Sequence, residues 1–263
     1  MGARRARRGR LAVRQYAGLA DTWASDASLA YGPMARHLVA RSPFDLLGAR
    51  ALDAGAGSGV AGDALRACGA RVVAADREFD MASYGARPAV TADVVALPFR
   101  DGSFDVVVAA FVVNHLPDPV AGLSELRRVT RPGGAVLVST FSIDRAAAKG
   151  AVDGTAAAYG FVPPDWYADL QVYANAIGGT AAVERVLDAA GFGRWSVTEG
   201  PVDVGLVDAA DVVRYRIAVP HLHAFVGSLS ADTRASFVAE AVEAVRRTDE
   251  RFAPVVVEAV ALV

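Results

Sequence analysis

The chain is poor in the residues that build disulfides, metal centres and membrane spans. It has a single cysteine among 263 residues, so no internal disulfide can form. No cluster of cysteine and histidine has the spacing of metal ligands, and we expect no bound metal. Although 53% of the residues are hydrophobic, no uncharged apolar run reaches the ~18 residues of a membrane-spanning helix. These absences favour a cytoplasmic globular protein that does not act on membranes.

Lysine is also scarce, because Lys149 is the only one and arginine supplies the other basic residues. Six arginines lie within residues 1–14, which contain no acid; without them, 21 basic residues face 29 acidic ones, a net charge of about −8. Residues 1–14 lack the apolar stretch of a secretory signal, so we expect a disordered basic leader. The acidic remainder does not suit a phosphate track, and nucleic acid is not an expected partner.

The most informative segment is residues 52–59, with the sequence LDAGAGSG. An apolar run ends in Asp53, glycines follow at alternate positions, and helix-compatible sequence comes next. Glycine permits positive φ angles and lets a ligand approach the backbone closely. The free N–H groups of the following helix point into the turn. The pattern indicates a nucleotide or nucleoside cofactor site at the first strand–helix corner of an open α/β sheet.

The glycine spacing alone does not identify the cofactor. Gly57, Gly59 and Gly62 satisfy the dinucleotide fingerprint, and Asp76 lies about where a ribose-binding acid is expected. Asp53 favours another ligand, because a carboxylate before the turn would repel a pyrophosphate and attract an ammonium. The amino-acid end of S-adenosylmethionine carries an ammonium and fits better.

Five segments in order resemble the class I S-adenosylmethionine-dependent methyltransferases, specifically the small-molecule group that includes quinone-biosynthesis C-methyltransferases. Besides the glycine turn, these segments are 72–76, 92–99, 104–118 and 127–134. They cover about residues 50 to 141, roughly a third of the chain. The resemblance implies S-adenosylmethionine as the cofactor.

The resemblance also implies which residues bind that cofactor. Asp53 and the glycines would hold its amino-acid end, and Asp93 with Val94 would hold the adenine. Asp76 would hold the ribose, since one carboxylate can accept hydrogen bonds from both hydroxyls. The predicted cofactor-binding residues are Asp53, Gly55, Ala56, Gly57, Gly59, Asp76, Arg77, Asp93, Val94, Phe111 and Asn114.

Runs of valine, alanine and leucine alternate with helical sequence. Such runs predict strands covered on both faces, in a doubly wound, seven-stranded, mostly parallel α/β sheet, the Rossmann-like methyltransferase fold. The resemblance places the seventh strand, antiparallel, between the fifth and sixth. Predicted strands are 50–53, 71–75, 89–92, 104–110, 135–141, 195–203 and 254–263. Predicted helices are 60–68, 79–84, 119–130, 180–190, 208–226 and 230–249.

Residues 15–263 are expected to form one domain that exceeds the bare fold in three places. A helical segment at residues 15–45 precedes the first strand, and insertions at about 142–179 and 205–251 follow the fifth and sixth strands. Both of these strands should end at the carboxyl edge of the sheet, where ligands bind. We therefore infer that the insertions form a helical lid over the substrate.

Methyl transfer from a sulfonium depends mainly on positioning, and a general base is needed only for some acceptors. Two candidate catalytic residues are His115, directly after the fourth strand, and His221, in the second insertion. Candidate substrate-binding residues are Tyr31, His37, Trp166, Tyr173 and His223. His221 and His223 are two positions apart, so at most one should face the pocket of a helical lid.

The expected function is methyl transfer to a small, moderately apolar acceptor, either a natural product or a quinone-like ring. A homodimer is compatible with this function. One alternative keeps the fold and cofactor without methylation, as in a cyclase or a binding module. Another is an NAD-dependent oxidoreductase, but Lys149 lacks the tyrosine four residues earlier that a short-chain dehydrogenase needs. An RNA methyltransferase is disfavoured because no Asn/Asp-Pro-Pro-Tyr/Phe tetrad follows the fourth strand.

Overall fold

The structure is a computed structural model that describes residues 16, 18–85, 88–144 and 146–263; the predicted basic leader lies outside these residues. The strands are β1 (Arg50–Ala54), β2 (Arg71–Asp76), β3 (Ala89–Thr91), β4 (Phe104–Ala110), β5 (Thr130–Phe141), β6 (Arg194–Pro201) and β7 (Val255–Leu262). The first helix, α1, has three consecutive segments, Ala20–Thr22, the π-helical Trp23–Ala27 and Ser28–Val39. The later helices are α2 (Val60–Ala67), α3 (Phe79–Tyr84), α4 (Pro119–Val129), α5 (Ala147–Ala158), α6 (Asp165–Ala176), α7 (Thr180–Ala189), α8 (Ala209–Ile217), α9 (Pro220–Ser228) and α10 (Ala231–Arg246).

The strands form one seven-stranded sheet in the order β3-β2-β1-β4-β5-β7-β6. All neighbouring pairs are parallel except those of β7, which runs antiparallel to both β5 and β6. This topology confirms the predicted doubly wound sheet with its seventh strand between the fifth and sixth. The apolar central strands are covered on both faces, as their unbroken valine and alanine runs predicted.

Two apolar cores flank the sheet. On one face, buried leucines of α4 and α7, such as Leu126 and Leu187, pack against β4, β5 and β7. On the other face, Leu38 of α1 and Leu65 of α2 pack against the opposite side of β1, β4 and β5. Helices on both faces leave the two ends of the strands as the accessible edges of the sheet.

The helices α5, α6, α8, α9 and α10 form what we call the helical cap, and α5, α8, α9 and α10 share a third core. Its interior is built around large buried side chains that include Tyr215, Leu222 and Phe237. The two insertions that supply it leave β5 and β6 at the same edge, since Phe141 pairs with Val256 and Pro201 with Val255. The cap therefore lies at the carboxyl edge of the parallel strands.

Two predicted boundaries were wrong. The single helix expected at 208–226 is two helices, because Pro220 lacks an N–H and holds the preceding Val219 in an extended conformation. The fifth strand begins at Thr130 and not at 135; an irregularity opposite Phe104 lets the Pro-Gly-Gly segment belong to the strand. Among the described residues, no helix combines the length and apolar character needed to cross a membrane.

Gly134 tests how tightly this irregular start of β5 is packed. A Cβ atom there would lie 2.6 Å from the carbonyl oxygen of Asp105 and 2.9 Å from that of Arg131. Because both neighbours are backbone atoms, we expect Gly134→Ala to lower the free energy of unfolding by ~1–3 kcal/mol. In the control Gly154→Ala, within α5, a Cβ meets no described atom within 4 Å, and we expect a gain of up to ~1 kcal/mol. Urea unfolding of both variants checks this; equal stabilities would contradict it.

Candidate active site

The glycine turn connects β1 to α2 and has little room for side chains. Gly55, Gly57 and Gly59 have φ angles of 71°, 53° and 93°. A Cβ on Gly55 would lie 2.3 Å from Cγ2 of Val112, in the segment after β4. The turn is therefore pressed against the exit of the neighbouring strand, and only glycine satisfies both the backbone angle and the contact.

Asp53 lies beneath this turn and is almost completely buried, with 1% exposure. Its Oδ2 accepts a hydrogen bond of 2.7 Å from the N–H of Gly62 in α2. Burial raises the pKa of Asp53 to about 7, against the opposing effect of the Gly62 hydrogen bond. The carboxyl group is thus balanced between its two protonation states near neutral pH, and a cationic ligand group beside it would favour ionisation.

Asp76 ends β2 and directs its carboxylate over the glycine turn. The two oxygens accept hydrogen bonds from the N–H groups of Gly57, at 2.8 Å, and Glu78, at 2.9 Å. Burial raises the pKa of Asp76. Tyr16 lies close to this carboxylate, whose charge raises the pKa of the phenol, after burial as the larger cause. Asp76 thus lies between the glycine turn and Tyr16.

The loop after β3 completes this half of the site. Asp93 folds the loop by accepting a 3.2 Å hydrogen bond from the N–H of Val95, and its other oxygen lies 3.8 Å from Nη1 of Arg77. Val94 is buried in the sheet core. The carboxyl edge therefore brings together the predicted cofactor-binding residues Asp53, Gly55, Ala56, Gly57, Gly59, Asp76, Arg77, Asp93, Val94 and Asn114.

An aromatic cavity separates the glycine turn from the helical cap. Trp23 and Tyr31 of α1 form part of its wall and stack with ring centroids 5.1 Å apart. Trp23 also lies near the turn, since a Cβ added to Gly57 would be 3.5 Å from its Nε1. The cavity and the glycine turn are thus two compartments of one site, with Trp23 at the boundary between them.

The segment after β4 places Asn114 and His115 in the wall of this cavity. Asn114 is 5% exposed, and its Oδ1 accepts no hydrogen bond from any residue that the structure describes. Leaving a buried acceptor unsatisfied costs ~1–3 kcal/mol, so this atom points to a ligand donor. Burial lowers the pKa of His115 to about 4, which keeps the imidazole neutral at pH 7.

The helical cap contributes the opposite wall. His221 of α9 is buried, lines the cavity, and stacks on Tyr167 of α6 with ring centroids 3.6 Å apart. Trp166 of α6 lines the cavity as well. Two histidines therefore face the same space from different elements, His115 from the sheet edge and His221 from the cap.

Three predicted substrate-binding residues lie away from the cavity. His37 packs against the sheet instead, with Nδ1 3.0 Å from both carboxylate oxygens of the buried Glu258. Tyr173 lies beside the stripe of α6 that faces the cavity, which consists of Trp166, Tyr167, Leu170, Gln171, Ala174 and Asn175, spaced one helical turn apart. His223 is half-exposed on another face of α9 from His221, as their spacing predicted.

Phe111, predicted to contact the cofactor, directs its ring at other aromatic side chains. Its φ is 58°, and its ring centroid lies 4.5 Å from that of Phe141 and 5.2 Å from that of Tyr31. The Phe111 ring, directly after β4, therefore packs among aromatic side chains beneath the cap. That Phe111 contacts the cofactor stays a prediction, since its ring is directed at these aromatic side chains.

Sequence reasoning missed two basic residues of the cavity. Lys149 places Nζ 3.6 Å from the centroid of the Phe141 ring. Arg216, buried at 8% exposure, forms hydrogen bonds of 3.0 and 2.9 Å with the two oxygens of Asp153. Lys149 could have been noticed because it is one lysine among arginines. No local pattern indicates Arg216, because its partner Asp153 lies 63 positions away.

The chain is similar to known methyltransferases. Residues 52–138 match a family described as a methyltransferase domain. Demethylmenaquinone methyltransferase of Mycobacterium sp. (strain KMS) is 47% identical over 98 residues, 36% of this chain and 43% of that protein. A Thermotoga maritima structure described as a SAM-dependent methyltransferase, "possible histamine N-methyltransferase", has a TM-score of 0.57 and 14% identity over 94% of this chain and 96% of its own. Phosphoethanolamine N-methyltransferase 2 of Haemonchus contortus, in complex with S-adenosyl-L-methionine, has a TM-score of 0.55 and 16% identity over 87% and 52%.

The sheet topology, the glycine turn and the matched segment confirm the predicted resemblance to class I S-adenosylmethionine-dependent methyltransferases, with a match to a methyltransferase domain at residues 52–138. The prediction of S-adenosylmethionine as the cofactor, made from Asp53 and the glycine turn, agrees with the methyltransferase-domain match and with the bound cofactor of the Haemonchus contortus structure. The matched segment spans less than half the length of the mycobacterial relative.

Asp53 makes the stability of the protein without cofactor depend on pH. An unfolded aspartate protonates near pH ~4, and the folded one at about 7, so the folded state binds more protons between these values. Its contribution to the free energy of unfolding therefore falls as the pH rises from ~4 to ~7 and is constant above. Asp53→Asn keeps an acceptor for the Gly62 N–H and removes this titration. Relative to wild type it should gain stability over that range, by up to ~4 kcal/mol.

Urea unfolding at about pH 5 and about pH 8 measures this difference. Asp188→Asn is the matched control, because Asp188 is exposed on α7 and is not among the charges that shift the pKa of Asp53. Its difference from wild type should stay the same at both pH values. A flat difference for Asp53→Asn would show that Asp53 ionises normally in the folded protein.

Proposed function

We propose that this chain transfers the methyl group of S-adenosylmethionine to a small, moderately apolar acceptor, a natural product or quinone-like ring, bound in the cavity under the helical cap. One observation carries the proposal: Trp23 lines the aromatic cavity and also lies near Gly57, so that the cavity and the glycine turn are neighbours. The mycobacterial relative, named for demethylmenaquinone, supports a quinone-like acceptor. A cytoplasmic small molecule is the partner that this function requires.

The cofactor side would use the groups described above. Asp76 would accept hydrogen bonds from the ribose hydroxyls, Asp93 with Val94 would bind the adenine, and Asp53 would face the ammonium. The buried Oδ1 of Asn114 offers a further acceptor at the boundary with the cavity. The cofactor supplies a methyl group that its sulfonium already activates. The chain's own contribution is then to orient the acceptor and to exclude water from the cavity.

The two cavity histidines would have different roles. His115 is neutral over the physiological range and adjoins the cofactor half through Tyr16, with ring centroids 6.1 Å apart. We assign to it the removal of the acceptor proton. The ring of His221, stacked on Tyr167, would orient the acceptor by packing against it.

Calorimetric titration with S-adenosylmethionine, and in parallel with NADH, tests the cofactor half. Asp76→Ala removes two charge-assisted hydrogen bonds to the ribose, and we expect it to weaken S-adenosylmethionine binding by ~2–4 kcal/mol. Asp63→Ala, on the exposed side of α2, should keep the wild-type Kd. Binding of NADH alone would replace the proposal with the oxidoreductase alternative, and an unchanged Kd in Asp76→Ala would remove Asp76 from the site.

Turnover tests the proton-transfer assignment. Conversion of S-adenosylmethionine to S-adenosylhomocysteine is followed with a panel of hydroxylated quinones and phenols. With an acceptor found this way, His115→Ala should lower kcat by ~10²-fold or more without changing the S-adenosylmethionine Kd. His221→Phe, which keeps a stacking ring, should stay within ~5-fold of wild type.

A larger loss of kcat in His221→Phe than in His115→Ala would assign proton removal to His221 and orientation of the acceptor to His115. Binding of S-adenosylmethionine with no S-adenosylhomocysteine formed on any acceptor would favour the non-methylating alternative, a cyclase or binding module.

A further inference from the structure

Asn114 carries a buried hydrogen-bond acceptor in the wall of the aromatic cavity. It belongs to the short 3₁₀ turn Val113–His115 after β4, and its neighbour His115 lines the same cavity. Asn114 is 5% exposed, and its Oδ1 accepts no hydrogen bond from any residue that the structure describes. A buried acceptor without a donor is unfavourable for the protein alone. We therefore expect the donor to come from a bound molecule.

The surroundings of Asn114 indicate which molecule this is. The cavity that Asn114 lines is also lined by Phe141, at the end of β5, and by Trp166 of the cap. Neither Asp53 nor Asp76 of the cofactor half is among its described lining residues. The position of Asn114 thus favours contact with the methyl acceptor over the predicted contact with the cofactor.

The charges of the cavity favour a neutral donor. Two basic and two acidic side chains are among the described residues that line it, Lys149 and Arg216 with Asp144 and Asp153. Because positive and negative charges are equal in number, the cavity offers no excess negative charge to an ammonium. Burial also lowers the pKa of the adjacent His115 to about 4, so this part of the wall disfavours a cation. A hydroxyl is a neutral donor that meets both conditions.

One hydroxyl cannot serve both Asn114 and His115. A single O–H donates its proton to one atom at a time, either Oδ1 of Asn114 or the ring nitrogen of His115 that would remove the proton. The two residues are consecutive, with Cα atoms about 3.8 Å apart. Two hydroxyls on neighbouring atoms of one acceptor ring would satisfy both residues.

We propose that Asn114 binds a second hydroxyl of the methyl acceptor, next on the ring to the hydroxyl that faces His115. The acceptor is then a neutral ring with two adjacent hydroxyls, a catechol-like member of the small, moderately apolar class. This inference rests on the proposed function, which supplies the role of His115. Asn114 is a specificity residue, because it selects the acceptor by one hydrogen bond and takes no part in proton removal.

The test uses two neutral probes that differ by one hydroxyl, 4-tert-butylcatechol and 4-tert-butylphenol. Each is titrated by calorimetry into wild type and Asn114→Leu, with and without saturating S-adenosylhomocysteine. We expect wild type to bind the catechol about tenfold or more tightly, because the phenol leaves Oδ1 of Asn114 unsatisfied. In Asn114→Leu the ratio should fall to ~2-fold or less, with the affinity for the phenol within ~3-fold of wild type.

The matched control is Asn175→Leu, which makes the same change at another asparagine that lines the cavity. Asn175 is exposed on α6, so water can satisfy its amide, and this variant should keep the preference for the catechol. Asn114→Leu should fold, because the Oδ1 that it removes has no protein donor to lose among the described residues. A preference that survives in Asn114→Leu would overturn the proposal. The wild-type titration decides on its own as well, since equal affinities or binding of neither probe would also overturn it.

Titration with S-adenosylmethionine separates this test from those of the proposed function. Asn114→Leu should keep the wild-type Kd for the cofactor. A weaker cofactor complex with the catechol preference intact would assign Oδ1 to the cofactor and overturn the proposal. A catechol preference that depends on Asn114, without cofactor binding, would uphold the role of Asn114 and overturn the methyltransferase proposal. Cofactor binding without that preference would do the opposite.

Discussion

The site depends on one steric constraint, the close approach of the glycine turn to the end of β4. A Cβ on Gly55 would lie only 2.3 Å from the side chain of Val112. Because no side chain fits there, the turn can lie directly over Asp53, which is buried as a consequence. The same closeness lets Asp76 reach the N–H of Gly57 from the neighbouring strand. Burial of Asp53 and its raised pKa are therefore effects of backbone packing.

The second organising feature is the helical cap. Its helices leave the sheet at the edge where the glycine turn lies, so the cavity they enclose adjoins the cofactor half. The Arg216–Asp153 pair links α8 to α5 across the cap interior. Removing Asp153 would leave the charge of the buried Arg216 uncompensated and so destabilise the cap. The pair thus helps to hold together two insertions that are distant in sequence.

Prediction from sequence succeeded where the determinants are local. The glycine spacing, the acid before it and the strand periodicity each involve a few adjacent residues, and all appear in the structure at the sheet edge. It failed where orientation on a helix matters. His37 and Tyr173 are on helices that do contribute to the cavity, but their side chains lie beside the contacting stripe. Residues that do line the cavity, such as Tyr31 and Ala174, are only a few positions away along the chain. The packing of each helix decides which of its faces meets the cavity.

The sequence by itself determined the positions of the strands and the glycine turn, because short-range periodicity and glycine's backbone freedom encode them. Its resemblance to a methyltransferase family added the place of the antiparallel seventh strand and the expected cofactor. Only the tertiary structure decided what surrounds each titratable group. The pKa of His115, about 4, arises from burial by segments far away in the chain. Lys149 and Phe141 are eight positions apart, yet their contact requires α5 to fold back over the end of β5. Desolvation and cavity shape are sums over many distant neighbours, and no local pattern of residues contains them.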